Sequence, residues 1–283
     1  LCADLFYLVA FPEHKLGKNV LGTRDSVNSM TPDMLRKHMD RFYSPASTVA
    51  CFCGKFERDK IIALCKRYFS SPANKGTIPV LPKADFCPGV HIFDKKTEQN
   101  QIVIGFSAPA LGTDSRFACQ LIASMLGGSA SSRLFRRLRE EQGLVYSVDA
   151  CASSYLSAGV FAVSMGVSRE SEKKAVLTAA EALRDFPNTM TEEELDLARD
   201  HYLSGLIMSL ESNSARAARY GTGELLLGGA ISEKELEEKI RGVSIDEIRS
   251  LAHSFSSLSN ACICAVGRTA GAKFYNKVVS GKK

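Results

Sequence analysis

An internal repeat limits what this chain can fold into more than any other feature does. The segments "SVNSMTPDMLRKHMDRFYSPASTVACFCGKF" and "KIRGVSIDEIRSLAHSFSSLSNACICAVGRT" align without a gap at the constant offset that separates Val27 from Ile240. Met30 then meets Val243, Thr31 meets Ser244, Asp33 meets Asp246 and Leu35 meets Ile248. Arg36 with Arg249, Phe42 with Phe255, Cys51 with Cys264 and Gly54 with Gly267 continue the series. Each copy carries the same local signals. Thr31 or Ser244 supplies an N-cap hydroxyl; Pro32 suits a first helical turn, and Glu247 completes a capping box. A short amphipathic helix, a polar turn and a buried strand ending in Gly should follow. So many matches in register imply duplication of a whole domain.

The second unit opens near Gly89, after a linker placed at 73–88 within "SSPANKGTIPVLPKADFCPG". Its copy of the repeat starts near Ile240, but the first copy starts at Val27. Units of equal length would need about 125 further residues ahead of Leu1. Residues 1–72 are therefore expected to be the C-terminal remnant of a first domain, and 89–283 a second, complete one.

Within the second unit, "HIFDKKTEQNQIVIGFSAPA" predicts two strands with a polar turn between them, Ile102, Ile104 and Phe106 alternating. Residues 114–126 place Phe117, Leu121, Ile122, Met125 and Leu126 on one helical face. "GGSASSRLFRRLREEQG" predicts a Gly-Ser turn into a short helix ending at Gly143. The strands "LVYSVDACASS" and "AGVFAVSMGV" come next. Helices are expected over 171–186 and 191–216, the latter opened by Thr191 and Glu194, with more starting near Ser232 and Ser244. A last strand is placed at 258–266. Hairpin-like strands mixed with runs of helices indicate the α+β class: an antiparallel or mixed sheet with helices packed on it, duplicated, the second copy complete and the first truncated.

Composition excludes several functions. No apolar run approaches the ~20 residues of a membrane span. Net charge is only +5, and the densest basic cluster, Arg133, Arg136, Arg137 and Arg139, runs straight into Glu140 and Glu141. That pattern predicts a solvated mixed-charge helix, so neither nucleic acid nor membrane is an expected partner. The nine cysteines lie mostly in apolar runs. The pairs Cys51/Cys53 and Cys262/Cys264 would each share one face of a strand and point inward as buried free thiols. Such usage fits a reducing compartment, and cytoplasmic localisation is expected. His14, His38, His91, His201 and His253 show no metal-binding spacing, and no phosphate-binding or serine-hydrolase motif occurs.

What remains is "RRLREEQGLVYSVDA", with Arg139 before a Gly143 break and Tyr146 after it. A tight glycine turn would fold the helix end toward the strand and let the two side chains converge. Arg offers five donors and Tyr one, all suited to carbonyl oxygens. The alternative is purely structural: Arg139 paired with a nearby carboxylate, Tyr146 a half-buried aromatic.

Four segments, "FPEHKLGKNVLGT", "MLRKHMDRFYSPASTVACFCGKF", "LGGSASSRLFRRLREEQGLVYSV" and "TEEELDLARDHYLSGLIMSLES", resemble the pitrilysin/insulinase-type zinc metallopeptidases. These inverzincins include the mitochondrial processing peptidases; Lys15 stands where Pro is usual. The resemblance implies two similar domains facing each other around a chamber. The first holds zinc through an H-x-x-E-H segment and a distal Glu. The second supplies an Arg and a Tyr that hold the substrate backbone and the developing oxyanion, and these map to Arg139 and Tyr146. The zinc segment would lie upstream of Leu1. This chain is thus expected to carry no catalytic residue and to bind no cofactor, with Zn2+ belonging to the full-length parent, a metalloendopeptidase. The alternative is a non-catalytic homologue, a structural or peptide-presenting subunit of a processing-peptidase-like complex. Implied partners are an extended peptide added to a sheet edge near 144–151 or 100–108, the N-terminal domain or a partner subunit, and a second copy in a dimer.

Overall fold

The computed structural model describes residues 1–69 and 81–281. Among the described residues four α-helices precede the linker: α1 (Cys2–Ala10), α2 (Arg24–Asn28), α3 (Pro32–Phe42) and α4 (Arg58–Phe69). β1 (Gly89–Asp94), β2 (Asn100–Ala108), α5 (Ser115–Gly127), β3 (Val145–Ser154) and β4 (Gly159–Val167) follow. The chain continues through α6 (Glu172–Thr189), α7 (Glu192–Ser209), α8 (Asn213–Leu227), α9 (Glu233–Gly242) and α10 (Ile245–Phe255). It closes with β5 (Cys262–Gly267) and α11 (Ala272–Val279). This is the α+β class, with one mixed sheet among the described residues. Contacts divide the chain into a sheet unit (Leu1–Asn19, Pro82–Tyr202, Glu237–Lys283) and a helical unit (Val20–Leu81, Leu203–Leu236). The predicted linker lies outside the described residues over 73–80. No helix among the described residues is long and apolar enough to cross a membrane.

The sheet unit has strand order β1-β5-β2-β4-β3, with β1 parallel to β5 and the other pairs antiparallel. The expected hairpin of β1 and β2 does not form, because β5 lies between them. All six residues of β5 are buried. A strand that apolar needs neighbours at both edges and cover on both faces, which an outer position cannot give. On one face Phe106, Phe161 and Phe255 stack at 4.6–6.2 Å between ring centroids, joining β2 and β4 to α10. The buried side chains of α5 and α6 extend that layer. On the other face α1 lays Phe6, Ala10 and Phe11 onto Val103, Val160, Ala162, Cys262 and Cys264. Each large apolar side chain buried this way contributes about 1.5–3 kcal/mol.

Gly105 marks where α1 comes closest to β2: a Cβ there would run into the Phe6 ring. Gly105→Ala is expected to destabilise the chain by about 1–3 kcal/mol through overpacking, seen as a lower denaturation midpoint. An unchanged midpoint would mean that α1 is not seated as described.

The two copies of the repeat share their helix but not their strand. Thr31 Oγ1 accepts from Met34 N at 3.3 Å to start α3, and Ser244 with Glu247 forms the predicted capping box of α10. The second copy then makes β5. In the first copy, residues 48–54 form no strand, Cys51 is exposed and Cys53 only half-buried. The expectation that both cysteine pairs point inward therefore holds for Cys262 and Cys264 alone. Apolar alternation does not make a strand; paired backbone does, and β5 has a neighbour on each side. The single helix predicted over 191–216 also breaks. α7 ends at Ser209, and the Ser212 hydroxyl accepts from Ala215 N at 3.3 Å to cap α8. The Ser- and Asn-rich run "SLESNS" offers the backbone local hydrogen bonds that compete with helix continuation.

Candidate substrate-binding site

The segment after α5 turns into a helix whose last part, Phe135–Glu140, is π-helical. Glu141 N donates to Arg136 O at 2.9 Å, five residues back, and Leu144 N reaches Leu138 O at 2.8 Å across Gly143. Gly143 has φ +58, the left-handed region where a side chain costs energy, so the break falls where the sequence puts it. β3 starts immediately afterwards with a bulge: Val145 faces Val167 and Ser147 faces Gly166, leaving Tyr146 as the extra residue. A bulge re-aims the side chain it frees. The Tyr146 side is accordingly turned outward, 71% exposed. The Arg139 guanidinium lies 5.9 Å from the centre of the Tyr146 ring and 5.2 Å from that of Phe135. These are cation–π distances, and they fix the guanidinium beside the phenol.

The neighbouring arginines have other work. Arg133 grips Glu194 through Nε at 2.7 Å and Nη2 at 2.5 Å, donates to Thr189, and lies over the Phe186 ring. Burial would raise the Glu194 carboxyl, but hydrogen bonds and charge from Arg133 outweigh it and hold the group below the usual carboxylate range. Arg137 pairs with Glu181 at 3.2 Å and Arg136 approaches Glu141 at 3.9 Å. Of the four, only Arg139 lacks a carboxylate partner among the described residues. The structural alternative expected a carboxylate beside Arg139 and a half-buried Tyr146; among the described residues no carboxylate pairs with Arg139, and Tyr146 is exposed.

The site borders a free sheet edge. β3 pairs with β4 on one side and, among the described residues, has no strand on the other. The other predicted edge, 100–108, is corrected by the topology: β2 lies between β5 and β4, so its backbone is already taken. Unpaired amides and carbonyls along β3, a guanidinium and a phenol together can hold an extended peptide by its backbone. Among the described residues no group of three or more His, Cys, Asp or Glu side chains is placed to hold a metal ion, so the residues present do not fit a zinc site. Sequence reasoning missed the π turn and the bulge. It also missed the buried carboxylate of Glu172, which accepts from Asn100 Nδ2 at 2.8 Å, Ala270 N at 2.9 Å and Tyr275 Oη at 2.6 Å.

Residues 29–202 match the peptidase M16 inactive domain. The chain belongs to that family. It is 29% identical over 261 residues to an uncharacterized zinc protease of Mycobacterium tuberculosis, covering 90% of this chain and 60% of the relative. It is 30% identical over 250 residues to an uncharacterized zinc protease of Bacillus subtilis, covering 88% and 61%. The M16 chain thus spans about three fifths of the length of these relatives. The same fold occurs in a chain of complex III2 from Candida albicans, with a TM-score of 0.87 at 18% identity over 98% of this chain and 69% of that one. The family match agrees with the resemblance carried by the sequence motifs.

Proposed function

We propose that this M16 domain grips extended peptides for a zinc-dependent metalloendopeptidase and does not itself cleave them. The observation that carries the reading is the convergence of Arg139 and Tyr146 beside the open β3 edge, Arg139 being the one arginine of its cluster without a carboxylate partner among the described residues. A peptide adds to β3 as a further strand. The Arg139 guanidinium donates to its backbone carbonyls and fixes its register. The Tyr146 hydroxyl donates to the carbonyl oxygen on which negative charge grows. Zinc, which would polarise that carbonyl and activate water, belongs to residues outside this chain. The proposed division by descent takes residues 1–72 as the remnant of a zinc-type domain, 73–88 as the linker and 89–283 as the substrate-binding domain, and it differs from the division by contacts, in which Leu1–Asn19 belongs to the sheet unit. In support, Val27, Met30, Met34, Leu35, Phe52 and Phe56 expose large apolar side chains that another domain or subunit would cover.

A second reading makes the chain a non-catalytic subunit that presents peptides to a partner. The description "inactive domain" and the occurrence of the fold in complex III2 favour it. Both readings predict that the chain binds an unstructured peptide and takes up no stoichiometric zinc by native mass spectrometry. They also predict that Arg139→Ala weakens peptide affinity about tenfold, the loss of one charged hydrogen bond. Tight zinc at one per chain, or equal peptide affinity in the variant, would overturn both. Adding the cognate zinc-bearing domain or subunit separates them, as cleavage depends on Tyr146 only in the first.

A further inference from the structure

One side-chain cluster lies outside the peptide site and has no part in it. Cys2, in the first turn of α1, and Cys264, in the middle of β5, meet where the helix crosses the sheet. Cys2 Sγ lies 3.4 Å from the Gln101 carbonyl oxygen and 3.7 Å from that of Cys264. Cys264 Sγ lies 3.8 Å from the carbonyl oxygen of Cys2. Each sulfur therefore points at the other residue's backbone, which brings the two thiols together where α1 crosses β5. Their exposures differ. Cys264 is fully buried, while Cys2 is half-buried.

We propose that Cys2 and Cys264 form a redox pair that a two-electron oxidant, hydrogen peroxide, closes into a disulfide stapling α1 to β5. The step balances in two stages. Cys2 thiolate attacks peroxide, an O–O bond breaks, and Cys2 becomes a sulfenic acid with release of water. Cys264 sulfur then displaces the hydroxyl from Cys2, the S–S bond forms and a second water leaves. Two thiols lose two electrons and two protons, and peroxide is reduced to two waters. The asymmetry of the pair suits the order. The neighbouring Cys264 thiol lowers the Cys2 pKa against the opposing effect of burial, and the same neighbour together with burial raises that of Cys264. Thiolate character with access to solvent is what makes a thiol the first to react. Elsewhere, burial pushes Cys119 and Cys262 up to about 12, which protects them. A covalent tie here would hold down the helix that covers one face of the sheet.

The test treats the full chain with stoichiometric peroxide, then denatures, alkylates and digests it. The expected product is a peptide pair joined through Cys2 and Cys264, 2 Da lighter, reversed by dithiothreitol, in a chain whose melting temperature has risen by several degrees. Cys2→Ser should abolish the cross-link and leave Cys264 unoxidised. Cys264→Ala should leave Cys2 as a sulfenic acid that dimedone traps. Full alkylation of both thiols after peroxide, oxidation of Cys2 to sulfinic acid in the unmodified chain, or cross-linking of Cys2 to another cysteine would each overturn the proposal. Because Cys2→Ser changes a half-exposed residue, that arm stands even if Cys264→Ala misfolds.

Discussion

Tyr146→Phe in the whole protein is expected to lower kcat/KM about 10²–10³-fold, the effect of removing one preorganised donor from a developing oxyanion. The change takes away only the hydroxyl. The ring remains, so the bulge at Val145–Ser147 and the contact with the Arg139 guanidinium should persist. The loss should fall on kcat, because the donor matters most when charge builds on the carbonyl oxygen. Arg139→Ala should act differently. On the proposed reading it removes a group that holds the peptide backbone before and during reaction, so KM should rise as well. Arg139→Lys should recover little, since an ammonium cannot reproduce the planar fork that lies near both the Phe135 and the Tyr146 ring. Zinc content, measured by elemental analysis, should equal that of the unmodified protein in all three. Wild-type kinetics in Tyr146→Phe would remove the phenol from the mechanism. Loss of zinc would instead show that the variants disturb the domain carrying the metal.

How far this site could be read from the sequence depends on which interactions are local. Gly143 ends the helix at the expected place because its φ of +58 is a property of one residue and its neighbours. The caps at Thr31, Ser212 and Ser244 are equally local, and two of them follow directly from hydroxyl spacing. The pairing of strands is not local. Nothing in "HIFDKKTEQNQIVIGF" signals that a strand nearly 160 residues later, Cys262–Gly267, will enter between its two halves. The same limit explains residues 48–54, whose apolar alternation matches β5 yet forms no strand, since the pattern specifies a face to bury and not the neighbour that buries it. At the site, spacing suggested that Arg139 and Tyr146 converge. The reason they do lies in two irregularities, a π-helical turn and a one-residue bulge, that each shift the register by about one position. A regular helix and strand would aim both side chains elsewhere. The partnering of Arg133 with Glu194, 61 residues away, was likewise invisible, and with it the contrast with Arg139, which has no carboxylate partner among the described residues.

Glu172→Ala is expected to destabilise the chain by at least about 3 kcal/mol, since each buried donor left without a partner costs about 1–3 kcal/mol. Glu172 is 0% exposed and its carboxylate gathers three separate parts of the sheet unit. Asn100 begins β2, Ala270 follows β5, and Tyr275 belongs to α11. Tyr275 is suited to its part: burial, then the hydrogen bond and charge of Glu172, push its phenol well above the usual range, so it stays a donor. Tyr275→Phe removes one donor and keeps the ring, and should cost about 1–2 kcal/mol. Glu172→Gln should fall between, because the amide nitrogen faces donors where an oxygen accepted before. In a domain of this size the alanine variant should melt roughly 6–12 °C lower. The double variant Glu172→Ala, Tyr275→Phe should lose clearly less than the sum of the two single changes, because once the carboxylate is gone the phenol has nothing left to bind. Strict additivity would mean that the two groups do not touch in solution, and α11 would then be held by its apolar face alone.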